Sequence, residues 1–196
     1  SNPLAIQLPL YRVGNNNNNN NGEENIVAGS LNDSTPPHGT FIGIIDLIHM
    51  RAIVYPDDIE DARMEDAVPT VLSLTNNPSI QESNPQLLKV AINGQRELIS
   101  NLANVDEVME DLYLLATIEE EEDDQDEGGI EEYISTSDIQ SSLRRSTLER
   151  KVMPTLCGAA LRGLGVEPVL DCVADYLPCP LDRLPPQLLL LGNTAS

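Results

Sequence analysis

Basic and aromatic side chains are scarce in this chain of 196 residues. Eleven lysines and arginines stand against 32 aspartates and glutamates, which gives a formal net charge of −21 at pH 7. The chain holds one Phe, five Tyr and no Trp, so any hydrophobic core must be aliphatic. Because an acidic surface repels phosphate, this composition disfavours direct binding to nucleic acid, and we expect no DNA partner.

Cysteine and histidine are also few. Cys157, Cys172 and Cys179 are odd in number and lack the spacing of metal ligands, so reduced thiols are the simplest interpretation. Two histidines, His38 and His49, accompany them. Together they form neither a ligand pattern nor a nucleophile–base pair. We therefore set aside a metal-dependent or thiol enzyme and predict no metal ligand and no catalytic residue in this chain.

Long apolar runs are missing as well. No stretch approaches the roughly 18 apolar residues that span a membrane. The first residues, Ser1 to Pro3, carry no initiator Met and no signal-peptide core. We expect a chain that is internal to a longer protein and has no membrane partner.

Two segments are too polar for us to predict an ordered structure. Asn15 to Asn21 is a run of seven asparagines within a polar region, and we predict a disordered loop over residues 12–38. Glu119 to Glu132 holds ten acids and no base, which predicts a second, acidic loop over residues 117–136. An acidic interaction tail is the alternative to a solvated loop there.

Apolar runs bounded by polar residues predict short strands. They are Leu4 to Leu10, Phe41 to Ile48, Ala52 to Tyr55 and Val71 to Leu74. The second and third should form an antiparallel pair, and the first should stop at Pro9. Asp46 lies inside the densest run, and we expect it to bond nearby backbone rather than to act in catalysis.

Helix-start signals predict three helices between residues 84 and 150. Asn84 and Pro85 open a helix to about Leu102, Asp106 opens one through Leu115, and Ser137-x-x-Gln140 opens one to about Arg150.

The stretch Val152 to Pro178 combines three kinds of local structure. Val152 to Cys157 predicts a buried strand, Gly158 to Gly165 is a loop of small residues that a ligand could approach closely, and Val166 to Leu177 predicts a helix. The apolar residues on one face of that helix are Val166, Val169, Leu170, Val173 and Leu177. This plan is found at nucleotide sites in α/β folds, where ligands lie beyond the carboxyl ends of strands. An ordinary βα connection is the alternative.

The residues of this stretch resemble the last guanine-recognition motif and closing helix of the elongation factor G family. The matching residues are Cys157-Gly158-Ala159-Ala160-Leu161, Gly165-Val166-Glu167-Pro168-Val169-Leu170-Asp171 and Asp175-Tyr176-Leu177-Pro178. Upstream, Gly43-Ile44-Ile45-Asp46-Leu47 with Arg51-Ala52, and Leu98-Ile99 with Asp106-Glu107-x-Met109-Glu110, resemble segments of the insertion in the family's GTPase domain.

The resemblance implies an α/β fold, namely the C-terminal strand, loop and helix of a P-loop GTPase domain plus an α+β insertion subdomain. The implied divisions are a strand leading to the insertion (1–11), the Asn-rich loop (12–38), the insertion subdomain (39–150), the end of the GTPase domain (151–180) and a linker (181–196).

The resemblance also implies a binding site and a cofactor. Ala159, Ala160 and Leu161 would form the loop over the guanine base of GTP or GDP, with a backbone N–H bonding the base carbonyl. Ala159 replaces the family's usual Ser, and Gly163-Leu164 replaces Asn-Lys, which affects affinity more than fold. Mg²⁺ is expected in the full-length protein, with no ligand from this chain.

Hydrolysis of GTP requires parts that the sequence does not contain. Neither a Gly-x-x-x-x-Gly-Lys-[Ser/Thr] loop nor an Asn-Lys-x-Asp motif is present. We therefore expect this chain alone to be inactive and a full-length parent to be the GTPase. A non-catalytic acidic adaptor that retains a decayed GTPase end is the alternative.

The partners are also implied by the resemblance. They are the ribosome, at its stalk and factor-binding region, and the ribosome recycling factor. The stretch from Ile139 to Leu148 is similar to the mitochondrial ribosome-releasing branch of the family, which implies a location in the mitochondrial matrix; the translocase branch is the alternative.

Overall fold

The computed structural model describes residues 2–13, 25–29, 39–56, 68–75, 84–122 and 133–182. Its strands are β1 (Asn2–Ala5), β2 (Gln7–Val13), β3 (Asn25–Ala28), β4 (Thr40–Asp46), β5 (Arg51–Val54), β6 (Thr70–Ser73) and β7 (Val152–Thr155). Its helices are α1 (Pro85–Ala103), α2 (Glu107–Glu122), α3 (Thr136–Leu148) and α4 (Val166–Tyr176). The predicted α/β class is confirmed. Of these helices, none has the length and apolar character to cross a membrane.

The strands form two sheets that meet at a single residue. Five strands make an antiparallel sheet in the order β3-β2-β4-β5-β6, and β1 pairs in parallel with β7. Ile6 lies between β1 and β2. Its N–H donates to the Thr155 carbonyl at 3.1 Å, and its own carbonyl accepts from the Leu47 N–H at 3.1 Å. Backbone bonds of one residue therefore join the two sheets.

The single strand predicted from Leu4 to Leu10 is wrong. The chain makes two strands there because it changes sheet at Ile6, and β2 continues past Pro9 to Val13. The pairing of β2 with β3 begins at Leu10, so Pro9 lies at the end of that ladder, where a missing N–H is tolerated. Its carbonyl still accepts from the Gly29 N–H at 2.8 Å.

The predicted pair of strands around Asp46 is confirmed as β4 and β5, and the predicted strand near Val71 is β6. The Asp46 carboxylate accepts from the N–H groups of Ile48 at 3.0 Å and His49 at 3.2 Å, which confirms its expected role. It also contacts His49 Nδ1 at 2.8 Å and Arg51 Nε at 2.9 Å. Asp46 thus fixes the turn between the two strands.

The five-stranded sheet has two apolar faces. One face packs with the helices to form the main core. The largest fully buried residues of this core include Leu8, Leu10 and Ile45 of the sheet and Leu98, Ile99, Leu102, Met109, Ile139 and Leu143 of the helices. The other face carries a smaller cluster around Ile44, Ile53 and Tyr55. Because side chains alternate along a strand, β4 and β5 contribute to both.

The loop predicted over residues 12–38 contains a strand. β3 pairs with β2 from Leu10↔Ala28 to Val13↔Asn25, because Ile26 and Val27 extend the edge of an apolar sheet. The Asn run itself, residues 123–132 of the acidic run and residues 183–196 of the predicted linker lie outside the described residues.

Two helix boundaries and one cap differ from the prediction. α2 continues beyond Leu115 to Glu122 and includes the first four acids of the acidic run, since Glu is a good helix former. The capping box of α3 is formed by Ser135 and Asp138, two residues before the predicted box, because the shorter Asp side chain takes the place of Glu or Gln. Asn84 precedes α1 as predicted, but its side chain makes no capping bond.

A paired carboxylate joins α2 to α3. Asp106 is 8% exposed, and Arg145 donates to it from Nε at 3.1 Å and from Nη2 at 2.6 Å. Asp106 immediately precedes α2, and its backbone carbonyl accepts from the Glu110 N–H at 2.9 Å. The hydrogen bonds from Arg145 lower the pKa of Asp106, against the opposing effect of burial.

We expect Asp106→Asn to destabilise the junction of α2 and α3 by about 1–2 kcal/mol at pH 7, because Asn loses the ion pair with Arg145. Since the pKa of Asp106 is lowered on folding, the charge stabilises the fold above the unfolded pKa of about 3.9. This contribution is lost as pH falls through the folded value. Hydrogen exchange in the first turn of α2 measures it.

Asp111→Asn is the matched control, since Asp111 is exposed on the same helix. Equal protection of the two variants at pH 7 would contradict the prediction, as would a difference between them that persists undiminished at pH 2.

Candidate functional site

The loop predicted to recognise a nucleotide joins β7 to α4. It runs from Cys157 to Gly165 and begins beyond the carboxyl end of β7, which lies in parallel with β1. This is the edge at which ligands bind in open parallel sheets. The structure therefore places Ala159, Ala160 and Leu161 together, at a position typical of a binding loop.

Backbone hydrogen bonds close the loop at its base. The Ala159 N–H donates to the Leu164 carbonyl at 2.9 Å, and the Leu164 N–H donates to the Ala159 carbonyl at 3.2 Å. Between them, Ala160–Arg162 forms one turn of 3₁₀-helix, with the Gly163 N–H bonded to the Ala160 carbonyl at 3.1 Å. The tip is thus a short, internally bonded turn.

The tip of the loop projects into solvent. Leu161 is 100% exposed and Ala160 is exposed, whereas Ala159 is half-buried beside the closing bonds. The first N–H groups of a helical turn have no partner within it. No described residue accepts a hydrogen bond from the N–H of Ala160 or Leu161. The turn can therefore present two backbone donors beside a small side chain.

Two glycines allow the backbone conformation of the loop. Gly163 and Gly165 have φ of 70° and 79°, the left-handed region that side chains disfavour. A Cβ at Gly165 would also lie 3.0 Å from the Cys157 carbonyl oxygen. The small residues were expected to admit a ligand, and at Gly165 the close approach is to the loop's own backbone instead.

The underside of the loop rests on the second face of the five-stranded sheet. Leu164 is 2% exposed and packs with Ile44, Ile53 and Tyr55. The Gly165 N–H donates to the Tyr55 hydroxyl at 2.9 Å. The motif did not point to Tyr55, although it is one of only six Tyr and Phe residues in the chain and ends an alternating strand.

Burial sets the protonation state of the groups in this cluster. Burial raises the pKa of the Cys157 thiol to about 12, and it also raises the pKa of Tyr55. Both groups are therefore neutral at physiological pH. A protonated, buried thiol is a poor nucleophile, and the Tyr55 hydroxyl remains a neutral hydrogen-bonding group.

Comparison with known proteins gives the family. Ribosome-releasing factor 2, mitochondrial, of Rattus norvegicus is 30% identical over 144 residues, which is 74% of this chain and 16% of the relative. Elongation factor G of Petrotoga mobilis is 32% identical over 156 residues, which is 80% of this chain and 18% of the relative. The chain belongs to the elongation factor G family. It spans less than a fifth of the length of these relatives.

Comparison with family models and with solved structures does not change this assignment. No family model matches the chain. A crystal structure from Thermus thermophilus covers 92% of this chain, with a TM-score of 0.48 and 16% sequence identity, and the match takes in 19% of that protein. This likeness is too loose to carry an argument about function.

The helix predicted from Val166 to Leu177 is present as α4, and its apolar face is open to solvent. Its five apolar residues share one face, but they are 38–62% exposed, as Leu170 and Val173 illustrate. The side of α4 that is buried carries Cys172 and Tyr176, which pack in the main core.

A small cavity lies on the buried side of α4. It has a volume of about 50 Å³, and its lining includes Gln7, Asp46 and Tyr176. That is room for a few waters at most. Burial raises the pKa of Tyr176 to about 12. In the described part of the chain, no group of three or more His, Cys, Asp or Glu is arranged to hold a metal ion.

We expect the isolated chain to self-associate or to remain partly molten, because the apolar face of α4 is open to solvent. Leu170→Gln should reduce the association measured by light scattering. Leu181→Gln is the control, since Leu181 is 94% exposed and lies outside that face. A monomer that unfolds in a single sharp transition would contradict the expectation.

Proposed function

We propose that this chain is the guanine-recognition end of a GTPase domain, together with its insertion, in a ribosome-associated translation factor. The support is the combination of family membership with a loop of matching sequence. That loop lies beyond a parallel strand and has two backbone donors at its exposed tip. The fold divisions predicted from the sequence, with 39–150 as insertion and 151–180 as the GTPase end, belong to this proposal.

The loop would recognise guanine through its backbone. A donor at Ala160 or Leu161 pairs with the carbonyl of guanine, whereas adenine carries an amino group at that place and both donors would be left unpaired. The side chain at position 160 need only be small enough for the base to approach. Selectivity for guanine therefore follows from the direction of one N–H group.

Two residues of the loop that differ from the family pattern, Ala159 and Leu164, make contacts that hold the loop in place. Ala159 lacks the hydroxyl of the usual Ser, but its backbone makes two bonds to Leu164 that hold the turn closed. Leu164, in place of the usual Lys, is buried against the sheet below. We propose that these contacts keep the loop ordered without the Ser hydroxyl.

The phosphates and Mg²⁺ of GTP would be held elsewhere in a longer protein. When bound, the metal neutralises charge on the phosphates during transfer. The residues here orient the base. The proposed reaction is hydrolysis of GTP coupled to release or recycling of mitochondrial ribosomes, with translocation as the alternative. A mitochondrial location and a ribosome recycling factor as partner are part of the same proposal.

The outer face of α2 is the proposed contact with the ribosome. Val108, Leu114, Leu115 and Ile118 are 54–59% exposed and share about a third of the helix circumference with acidic side chains. A mixed apolar and acidic face fits a protein surface with an apolar groove and basic rim, and it disfavours rRNA. A ribosomal protein of the stalk and factor-binding region is the proposed occupant.

The sequence upstream of Ser1 in the native transcript is the most direct test of the proposal. A phosphate-binding Gly-x-x-x-x-Gly-Lys-[Ser/Thr] loop and an Asn-Lys-x-Asp motif, behind an Arg-rich leader, are the expected result. A start codon immediately before Ser1 would favour the acidic adaptor instead, because phosphate chemistry would then be missing from the protein.

We expect Ala160→Leu in the full-length protein to weaken binding of GDP by about tenfold or more, or about 1.4 kcal/mol. The larger side chain would occupy the space of the base, and its exposed position spares the fold. Ala174→Leu, at an exposed position of α4, is the matched control for titration with a fluorescent GDP. Unchanged affinity in Ala160→Leu would place the base elsewhere.

Leu115→Ser should weaken co-sedimentation of the full-length protein with purified mitochondrial ribosomes, since it removes apolar contact from the α2 face. Leu181→Ser is the control, because Leu181 is more exposed and lies on another element. Equal binding by both variants would remove α2 from the interface.

A further inference from the structure

The candidate loop is supported by the insertion subdomain. Its base residue Leu164 is buried against Ile44 of β4 and against Ile53 and Tyr55 at the end of β5. These strands lie between Phe41 and Tyr55 in the sequence, more than 100 residues before the loop. The shape of the loop therefore depends on a part of the chain that the guanine motif does not include.

Tyr55 makes the most specific of these contacts. Its side chain is 6% exposed, and its N–H donates to the Ile42 carbonyl at 2.9 Å, which fixes it to the sheet. Its hydroxyl accepts from the Gly165 N–H at 2.9 Å. Gly165 is the N-cap of α4, and no side chain caps that helix. The hydroxyl thus satisfies a backbone donor at the hinge between loop and helix.

A second contact holds the tip. Arg162 Nη1 donates to the Phe41 carbonyl at 3.3 Å. The two polar contacts are made on either side of Gly163 and Leu164, one by the side chain of Tyr55 and one by the backbone of β4. The loop between them has little freedom to tilt without breaking one or the other.

We propose that Tyr55 is a positioning residue for guanine recognition, which holds the Ala160–Leu161 turn in the orientation that aims its N–H groups at the base. This inference rests on the proposed function. It adds that the insertion subdomain determines guanine selectivity through the Tyr55–Gly165 hydrogen bond, although Tyr55 touches no nucleotide.

The mechanism requires the hydroxyl rather than the ring. In Tyr55→Phe the ring still fills the cluster, but the Gly165 N–H loses its acceptor in a buried place. The backbone at Gly165 can then rotate, because its N–H is no longer held by a hydrogen bond. A backbone donor discriminates between bases only while its direction is held, so selectivity should fall even where the fold is retained.

The test is the affinity of the full-length protein for GDP and ADP, measured by isothermal titration with wild type, Tyr55→Phe and Tyr11→Phe. Tyr11 lies half-buried on β2 of the same sheet, and its ring meets Phe41 with centroids 6.0 Å apart, so its hydroxyl makes a matched control. We expect Tyr55→Phe to lower the ratio of GDP to ADP affinity by about fivefold, and Tyr11→Phe to leave it unchanged.

The outcomes separate the two proposals. A wild-type protein with no preference for GDP over ADP overturns the proposed function and this inference with it. A wild-type preference that Tyr55→Phe leaves intact overturns the positioning role alone. Equal weakening of GDP and ADP also overturns it, because a purely structural hydroxyl would change stability and affinity without changing selectivity.

Discussion

The pairing register of β4 with β5 is the constraint on which the rest of the structure depends. Both strands carry apolar side chains on both faces, with Ile45 towards the helices and Ile44 towards the loop. A slip of one residue would exchange the two sets. The Asp46 carboxylate, bonded to the turn that joins the strands, fixes the register, and the placement of Tyr55 beneath Gly165 follows from it.

The sequence predicted the elements better than their ends. The strand pair around Asp46 and the start of α2 after Asp106 follow from local chemistry, and the α/β class follows from the resemblance to the family. The start of α3 differs from the prediction because two capping patterns overlap in the sequence, and the structure forms the one at Ser135 rather than the one at Ser137. The change of sheet at Ile6 was missed because periodicity along one strand contains no information about which partner each half will find.

For the candidate loop, too, the sequence predicts the local residues but not their long-range contacts. Its residues were found from a motif, and the structure brings them together as one turn beyond β7. Tyr55 could not be found in that way, because its contact with Gly165 spans 110 positions and depends on the sheet being assembled. The exposure of the apolar face of α4 cannot be predicted from the sequence either. Amphipathic spacing predicts an apolar face that packs against another element. It does not indicate whether that element lies within this chain.

The pairing of Val13 with Asn25 determines how the fold responds to the length of the asparagine run. These two residues face each other across β2 and β3, so the ends of the segment that contains the asparagine run are held together whatever its length. Closing a longer loop costs little, about 0.6 kcal/mol for each doubling. A change in the number of asparagines in this run should therefore have little effect on the stability of the folded protein.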